Sequence, residues 1–222
     1  MSKGTAGMVR VELHMHTRAS KDSLVPVEKL LSHCRKKGIN RIAITDHNVI
    51  QGALKAKLLD PDRVIVGEEI ATTKGELLGY FMSEWVPPNL EPEDAVWWLR
   101  AQGAVVSVAH PFDTTRKHHW SEEDLAAITP HLDAIETFNA RCFNDVPNRQ
   151  AAAFAKKHNL LETVGSDAHT IWEVGRATLL MADFQDAETF KTALKGAVKD
   201  TTFSPPFVHL FSRFAVFMKR LK

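Results

Sequence analysis

A chain of 222 residues, 44% hydrophobic and 25% charged, is not a disordered or fibrous protein and has enough length for one domain with a sizeable core. Its formal net charge is +1, so nothing global points to a stable nucleic-acid partner or a membrane surface. The two cysteines, Cys34 and Cys142, make no disulfide framework, no apolar run reaches the length of a transmembrane segment, and the first residues lack the apolar stretch of a signal peptide; a cytoplasmic protein is the expectation.

Taken in order, residues 1–8 are small and polar and read as a flexible arm. Residues 9–16 form the first strand, and His14 and His16, two apart, point to one face of it. A helix over 27–37 follows, with Pro26 as its first residue and Gly38 as its stop. Residues 41–45 read as a strand ending in Asp46-His47, 51–59 as a helix, and 64–70 as a strand that carries Glu68 and Glu69. After a turn at Thr73-Lys74-Gly75, residues 76–82 return as the second half of a hairpin. A helix over 92–102 has Trp97 and Trp98, read as packing residues over cofactor contacts. Residues 104–109 form a strand that ends in His110-Pro111. The loop 112–120 carries Arg116, Lys117, His118 and His119, possible rim groups for a substrate, each more readily expected to be solvated. Ser121 caps a helix to about Thr129, and a strand over 134–138 precedes Asn139 and Arg141. A helix over 148–158 leads to a strand over 160–165, then Ser166-Asp167-Ala168-His169. A strand over 177–181 and a helix over 186–197 complete the pattern. Residues 201–222 read as an amphipathic helix packed on the body of the protein or on a second subunit, with Phe207, Leu210, Phe211, Phe214, Phe217, Met218 and Leu221 on one face. Its basic end (Lys219, Arg220, Lys222) makes a membrane-surface anchor the lesser reading.

Strand–helix alternation over residues 9–200 implies an α/β fold with a mainly parallel sheet closed as a barrel. His14, His16, Asp46, His47, Glu69, His110, Asn139, Asp167 and His169 all fall at or just past strand C-termini, the mouth of such a barrel. His14, His16, His47, His110 and His169, with Asp22, Glu69 and Asp167, are candidate metal ligands. One zinc takes at most about four ligands, so this set suits two or three divalent ions. Nitrogen and oxygen donors without thiolate suit Mn, Fe or Zn. Such centres activate water and clamp both oxygens of an in-line displacement at phosphorus. Arg18, Asn139 and Arg141 sit where a substrate phosphate would lie, arginine for its bidentate geometry.

Five motifs occur in order: His14-Met15-His16, Thr45-Asp46-His47, Gly67-Glu68-Glu69, Ala109-His110-Pro111 and Gly165-Ser166-Asp167-Ala168-His169. Together they resemble the polymerase and histidinol phosphatase (PHP) superfamily. The resemblance implies a distorted (β/α)7 barrel and a trinuclear metal site that hydrolyses phosphoesters with a metal-bridging hydroxide. On that resemblance His14, His16, Glu69 and Asp167 hold the first metal. Glu69 bridges to a second, which His110 also binds, and Asp22, His47 and His169 hold the third. Glu68 then faces the other way. Where many members carry a histidine at the start of the return strand, this chain has Glu76, a carboxylate able to ligate the same metal. The implied substrates are small phosphorylated molecules, including nucleotides or short single-stranded oligonucleotides, and a homo-oligomer is open. Two alternatives remain. An amidohydrolase-like C–N hydrolase also begins with His-x-His, but commonly needs a carboxylated lysine, and no lysine here ends a buried strand. A non-catalytic, metal-binding regulatory PHP domain would have lost ligands that this chain keeps.

Overall fold

Apolar runs of four to eight residues, each followed by an amphipathic stretch, become strands and helices in turn. The computed structural model describes residues 7–221. Most of the arm expected over 1–8 lies outside them, and Met8 already begins the first strand. The strands are β1 (Met8–Glu12), β2 (Arg41–Ile44), β3 (Val64–Ala71), β4 (Glu76–Tyr80), β5 (Val105–Val108), β6 (Ala134–Asn139), β7 (Leu161–Gly165), β8 (Ala177–Ala182) and β9 (Val198–Thr201). The helices are α1 (Val27–Lys36), α2 (Gln51–Leu59), α3 (Pro92–Ala101), α4 (Glu122–Ile128), α5 (Val146–His158), α6 (Ala187–Leu194) and α7 (Val208–Arg220).

One sheet runs in the order β7-β6-β5-β4-β3-β2-β1-β8-β9. Four of its eight pairings are parallel and four antiparallel. The sheet is therefore less parallel than alternation predicts, because the Thr73–Gly75 turn reverses β4 and β8 adds antiparallel to β1. Past Glu12 the chain stays extended, and Met15 bridges Ala168 in parallel. There His16 N donates to the Ala168 carbonyl at 2.9 Å and Ala168 N to the His14 carbonyl at 3.2 Å. This bridge joins the end of β7 to the continuation of β1, and the sheet becomes a nearly closed, distorted α/β barrel. Side-chain alternation splits the core. Ile42, Ile44, Val106 and Val108 pack with Leu30, Ala53 and Leu99 of the helices, while Ala43, Ile65 and Val105 join Leu13, Tyr80 and Phe190 in a second cluster.

Three local expectations change. Pro26 is the residue before α1, its carbonyl accepting from Leu30 N at 3.0 Å, and not the first helical residue. Trp97 and Trp98 do not pack inward: Trp97 is 65% exposed, because helical spacing gives the buried face of α3 to Ala95, Val96 and Leu99. In α7 Val208 and Ala215 are buried, Ser212 and Lys219 hydrogen-bond to the barrel, and His209 and Phe211 meet Phe143 and Trp172, while the phenylalanine stripe as a whole stays exposed. Among the described residues no helix is long and apolar enough to cross a membrane.

Candidate metal centre

Five histidines and four carboxylates converge at the mouth. His14 and His16 leave β1 on one face with ring centres 5.2 Å apart. His14 Nε2 lies 3.2 Å from Glu69 Oε2 and 3.8 Å from Asp167 Oδ1, and His16 Nε2 lies 3.4 and 3.2 Å from the same two atoms. His110, just past β5, approaches Glu69 Oε1 at 3.0 Å. His47, past β2, is 3.0 Å from Glu69 Oε2 through Nδ1 and 3.3 Å from Asp22 Oδ2 through Nε2. His169 Nε2 reaches Asp22 Oδ2 at 3.2 Å. Glu76, opening β4, stands 3.7 Å from both His47 Nδ1 and His110 Nε2. Four overlapping groups could each hold an ion, with donor atoms within 4.8 Å of one another: His16, Asp22, His47 and His169; His14, His16 and Glu69; His14, His110 and Asp167; and His47, Glu69 and Glu76.

A second layer fixes these side chains. Glu136 of β6 takes His14 Nδ1 on one oxygen at 2.8 Å and accepts from His110 N and Asn139 Nδ2, both at 2.9 Å, on the other. Asp167 Oδ2 accepts from Arg116 Nη2 at 2.7 Å and Asn139 Nδ2 at 3.3 Å, which leaves Oδ1 aimed at the histidines. Ser20 Oγ donates to Asp22 Oδ1 at 2.8 Å, which leaves Oδ2 to His47 and His169. His110 and Asp167 have positive φ, 25° and 51°. Such conformations cost about 1–3 kcal/mol each and concentrate at functional sites. Gly165 is required here: an added Cβ would stand 2.1 Å from Glu136 Oε1 and 2.4 Å from His14 Cβ.

The donor set fits divalent cations. His14 Nε2, His16 Nε2, Glu69 Oε2 and Asp167 Oδ1 are buried and make no hydrogen bond. Each such atom left unpaired costs about 1–3 kcal/mol, and a cation among them would relieve all four. Electrostatics agree. Burial opposes charge on His14, yet the carboxylates of Glu69, Glu136 and Asp167 raise its pKa well above the ordinary value. Glu69 and Asp22 do the same for His47 against its burial. Burial, with His169 and His47 nearby, pushes His16 down to about 3, so it is neutral and ready to ligate. Despite burial, His47 and His14 hold Glu69 well below the usual carboxylate range, and Arg116 and His14 do so for Asp167. The pocket thus sets ionised carboxylates of Glu69 and Asp167 against the histidine nitrogens.

The residues expected to meet substrate divide. Arg18 is exposed at the mouth. Arg141 is turned inward instead: Nη1 lies 2.6 Å from His169 Nδ1, Nη2 donates to Ser212 Oγ at 2.7 Å, and Nε sits 3.2 Å from Glu173 Oε1. Asn139 is also buried, donating to Glu136 and Asp167 while its Oδ1 accepts from Arg141 N at 2.9 Å. Arg116, expected in solvent, reaches in to Asp167, steadied by Asp113 Oδ2 at 3.1 Å from its Nε. Its signal was Asp113 three residues upstream. Glu136 also escaped the sequence reading; a lone carboxylate in an apolar strand, needing a buried partner, was its signal. Glu68 faces away as expected, accepts from Val86 N at 3.1 Å, and is pushed by burial up to about 8.

Residues 12–72 match the sequence model of the PHP domain and residues 146–198 that of the PHP-associated segment. An uncharacterized protein of Methanocaldococcus jannaschii is 38% identical over 178 residues, covering 79% of this chain and 71% of its own. The chain belongs to the PHP family. A probable phosphatase of Enterobacter sp. strain 638 is 26% identical, covering 77% of this PHP chain and 83% of its own. PsfC from Pseudomonas syringae superposes with a TM-score of 0.69 over 97% of this chain and 100% of its own; at 17% identity that likeness is one of fold. Within the PHP chain, His14, His16, Asp22, His47 and Glu69 lie in the first matched segment and Asp167 and His169 in the second, while Glu76 and His110 lie between them.

Proposed function

We propose that this PHP domain is a metal-dependent phosphoesterase that hydrolyses phosphomonoesters at a centre of two or three divalent ions. The observation that carries the proposal is the group of buried, facing, unbonded atoms on His14, His16, Glu69 and Asp167. These four would hold one ion; Glu69, His110 and Glu76 would hold a second; Asp22, His47 and His169 a third. The absence of thiolate favours Mn, Fe or Zn. Ions held there supply an acidified water as nucleophile and offset the charge that grows on the phosphoryl oxygens.

The chain's own groups orient and neutralise. Glu136 fixes the His14 ring so that Nε2 faces the centre. Arg116 stands beside Asp167 with its side chain 19% exposed, the guanidinium best placed to meet a phosphoryl oxygen. Arg18, on the exposed edge, is a second cation for the incoming phosphate. Asn139 and Arg141 hold the frame of the site. A net charge near zero supports a small substrate, a nucleotide or the end of a short single strand, over a long nucleic acid. Two cysteines without a disulfide suit a reducing, cytoplasmic setting.

Protein reconstituted with Mn or Fe is expected to release inorganic phosphate from phosphomonoesters. The His14→Ala/His16→Ala variant should keep its circular dichroism spectrum and lose both bound metal and turnover. Undiminished phosphate release by that variant refutes the proposal.

A further inference from the structure

A cavity of about 340 Å³ opens beside the metal centre and shares His169 with it. It lies between α7, residues 24–26 and the loop after β7. That volume is in the range of small-molecule sites. Leu24, Ile171, Trp172, Phe211 and Phe214 line it, and among the described residues Lys29 and His169 are its ionisable side chains. Trp172 and Phe211 meet edge to face at 5.1 Å. These rings are not core: Trp172 is 58% and Phe214 53% exposed. Large aromatic side chains around an open concavity, with solvent on their faces, offer a surface for another apolar group. Segment 208–220 lies beyond both stretches that match the family models, so one wall of the cavity comes from outside them.

Polarity runs from one end of this region to the other. His169, 3.2 Å from Asp22, belongs to the end that takes a phosphoryl group, and the far end is hydrocarbon and ring. A phosphate monoester of an aromatic alcohol has the same polarity. We infer that the cavity holds the end of the phosphoester's alcohol farthest from phosphorus and that this end is a planar ring, an inference that rests on the phosphoesterase reading above. A polyol would bury hydroxyls against a lining whose hydroxyl-bearing side chain is Thr170 alone, leaving them without partners. An aromatic ring brings no alcohol hydroxyls to be left without partners and can stack on Trp172, Phe211 or Phe214. Lys29 favours a ring that carries a further negative group. Two sources supply that chemistry, a nucleobase or a simple aryl group.

The test compares Mn-loaded wild-type protein with Trp172→Ala and Phe211→Ala, and with Trp97→Ala as a control on α3. The substrates are phenyl phosphate, a nucleoside 5′-monophosphate and glycerol phosphate. Wild type should prefer a ring-bearing substrate, and kcat/KM for it relative to glycerol phosphate should fall about tenfold in both cavity variants, mainly through KM. The control should retain the wild-type ratio. Phenyl phosphate and the nucleotide separate the two ring sources by which ratio falls further. Changes of equal size on all three substrates, or none, overturn the inference. Calorimetric titration with phenylphosphonate separates this failure from that of the phosphoesterase reading. Binding that Trp172→Ala weakens, with no turnover of any substrate, rejects the reaction and keeps the cavity; turnover without ring preference rejects the cavity alone. A cavity filled by a second copy would show as a dimer in light scattering that Trp172→Ala returns to monomer, and that too overturns the inference.

Discussion

Glu136 touches no expected substrate, yet three groups of the centre depend on it: the His14 ring, the strained backbone at His110, and Asn139. Glu136→Gln keeps the volume and removes the charge that orients His14. Metal affinity measured by calorimetry should fall about 10–100-fold with the fold intact; unchanged affinity would show that His14 is fixed by packing alone. A second prediction concerns Cys34. Burial pushes its thiol up to about 12, so near pH 8 only about one in ten thousand is thiolate. Cys142 is also raised by burial. Ellman's reagent should therefore find no fast thiol at pH 8 in native protein and two after denaturation. Rapid native reaction would place one of them in solvent. At this scale the histidines were legible because they stand at strand ends in short fixed motifs. Arg116, Asn139 and Arg141 were not, since their destinations depend on which carboxylate the fold brings near, and local spacing carries no trace of that.

Helix α7 is tied to the centre through the loop that carries Asp22. Lys219 Nζ donates to the carbonyls of Arg18 and Ser20, and Ser20 Oγ in turn holds Asp22. Lys219→Ala should cost on the order of 1 kcal/mol in unfolding free energy. It should also lower the metal content per chain as the Asp22 group loosens, which elemental analysis would read directly. Full metal content in that variant would separate α7 from the centre. Several helices and apolar strands were legible to within a residue or two: α2 has the expected bounds, and α3, β5 and β8 differ only at their ends. Strand β9 was not, because Val-Lys-Asp-Thr is polar and exposed along most of its length and alternation has nothing to mark. It is held by its antiparallel ladder to β8, with Arg10 of β1 reaching past β8 to Asp200, pairings that no window of a few residues contains.

The barrel owes its shape to a few joints at its mouth. The Met15–Ala168 bridge closes the gap between β1 and β7, and the donor atoms of the centre come from the ends of β1, β2, β3, β5 and β7 and the start of β4. Removing metal with a chelator should therefore loosen the whole molecule. Ion at a thousand times its dissociation constant adds about 4 kcal/mol to stability, on the order of 10 °C in Tm for a domain of this size. Scanning calorimetry with and without EDTA reads the shift, and identical midpoints would contradict the assigned ligands. The α/β architecture was plain from alternation, but closure was not, since it rests on one backbone bridge between residues about 150 positions apart. Glu69 has the widest reach of the side chains at the mouth. Its Oε2 faces His14, His16 and His47, and its Oε1 faces His110. If Glu69 serves neighbouring ions, as proposed, filling one position would set the rotamer the next one needs, so loading should be steep in ion concentration, and one substitution at Glu69 should empty the mouth as a whole.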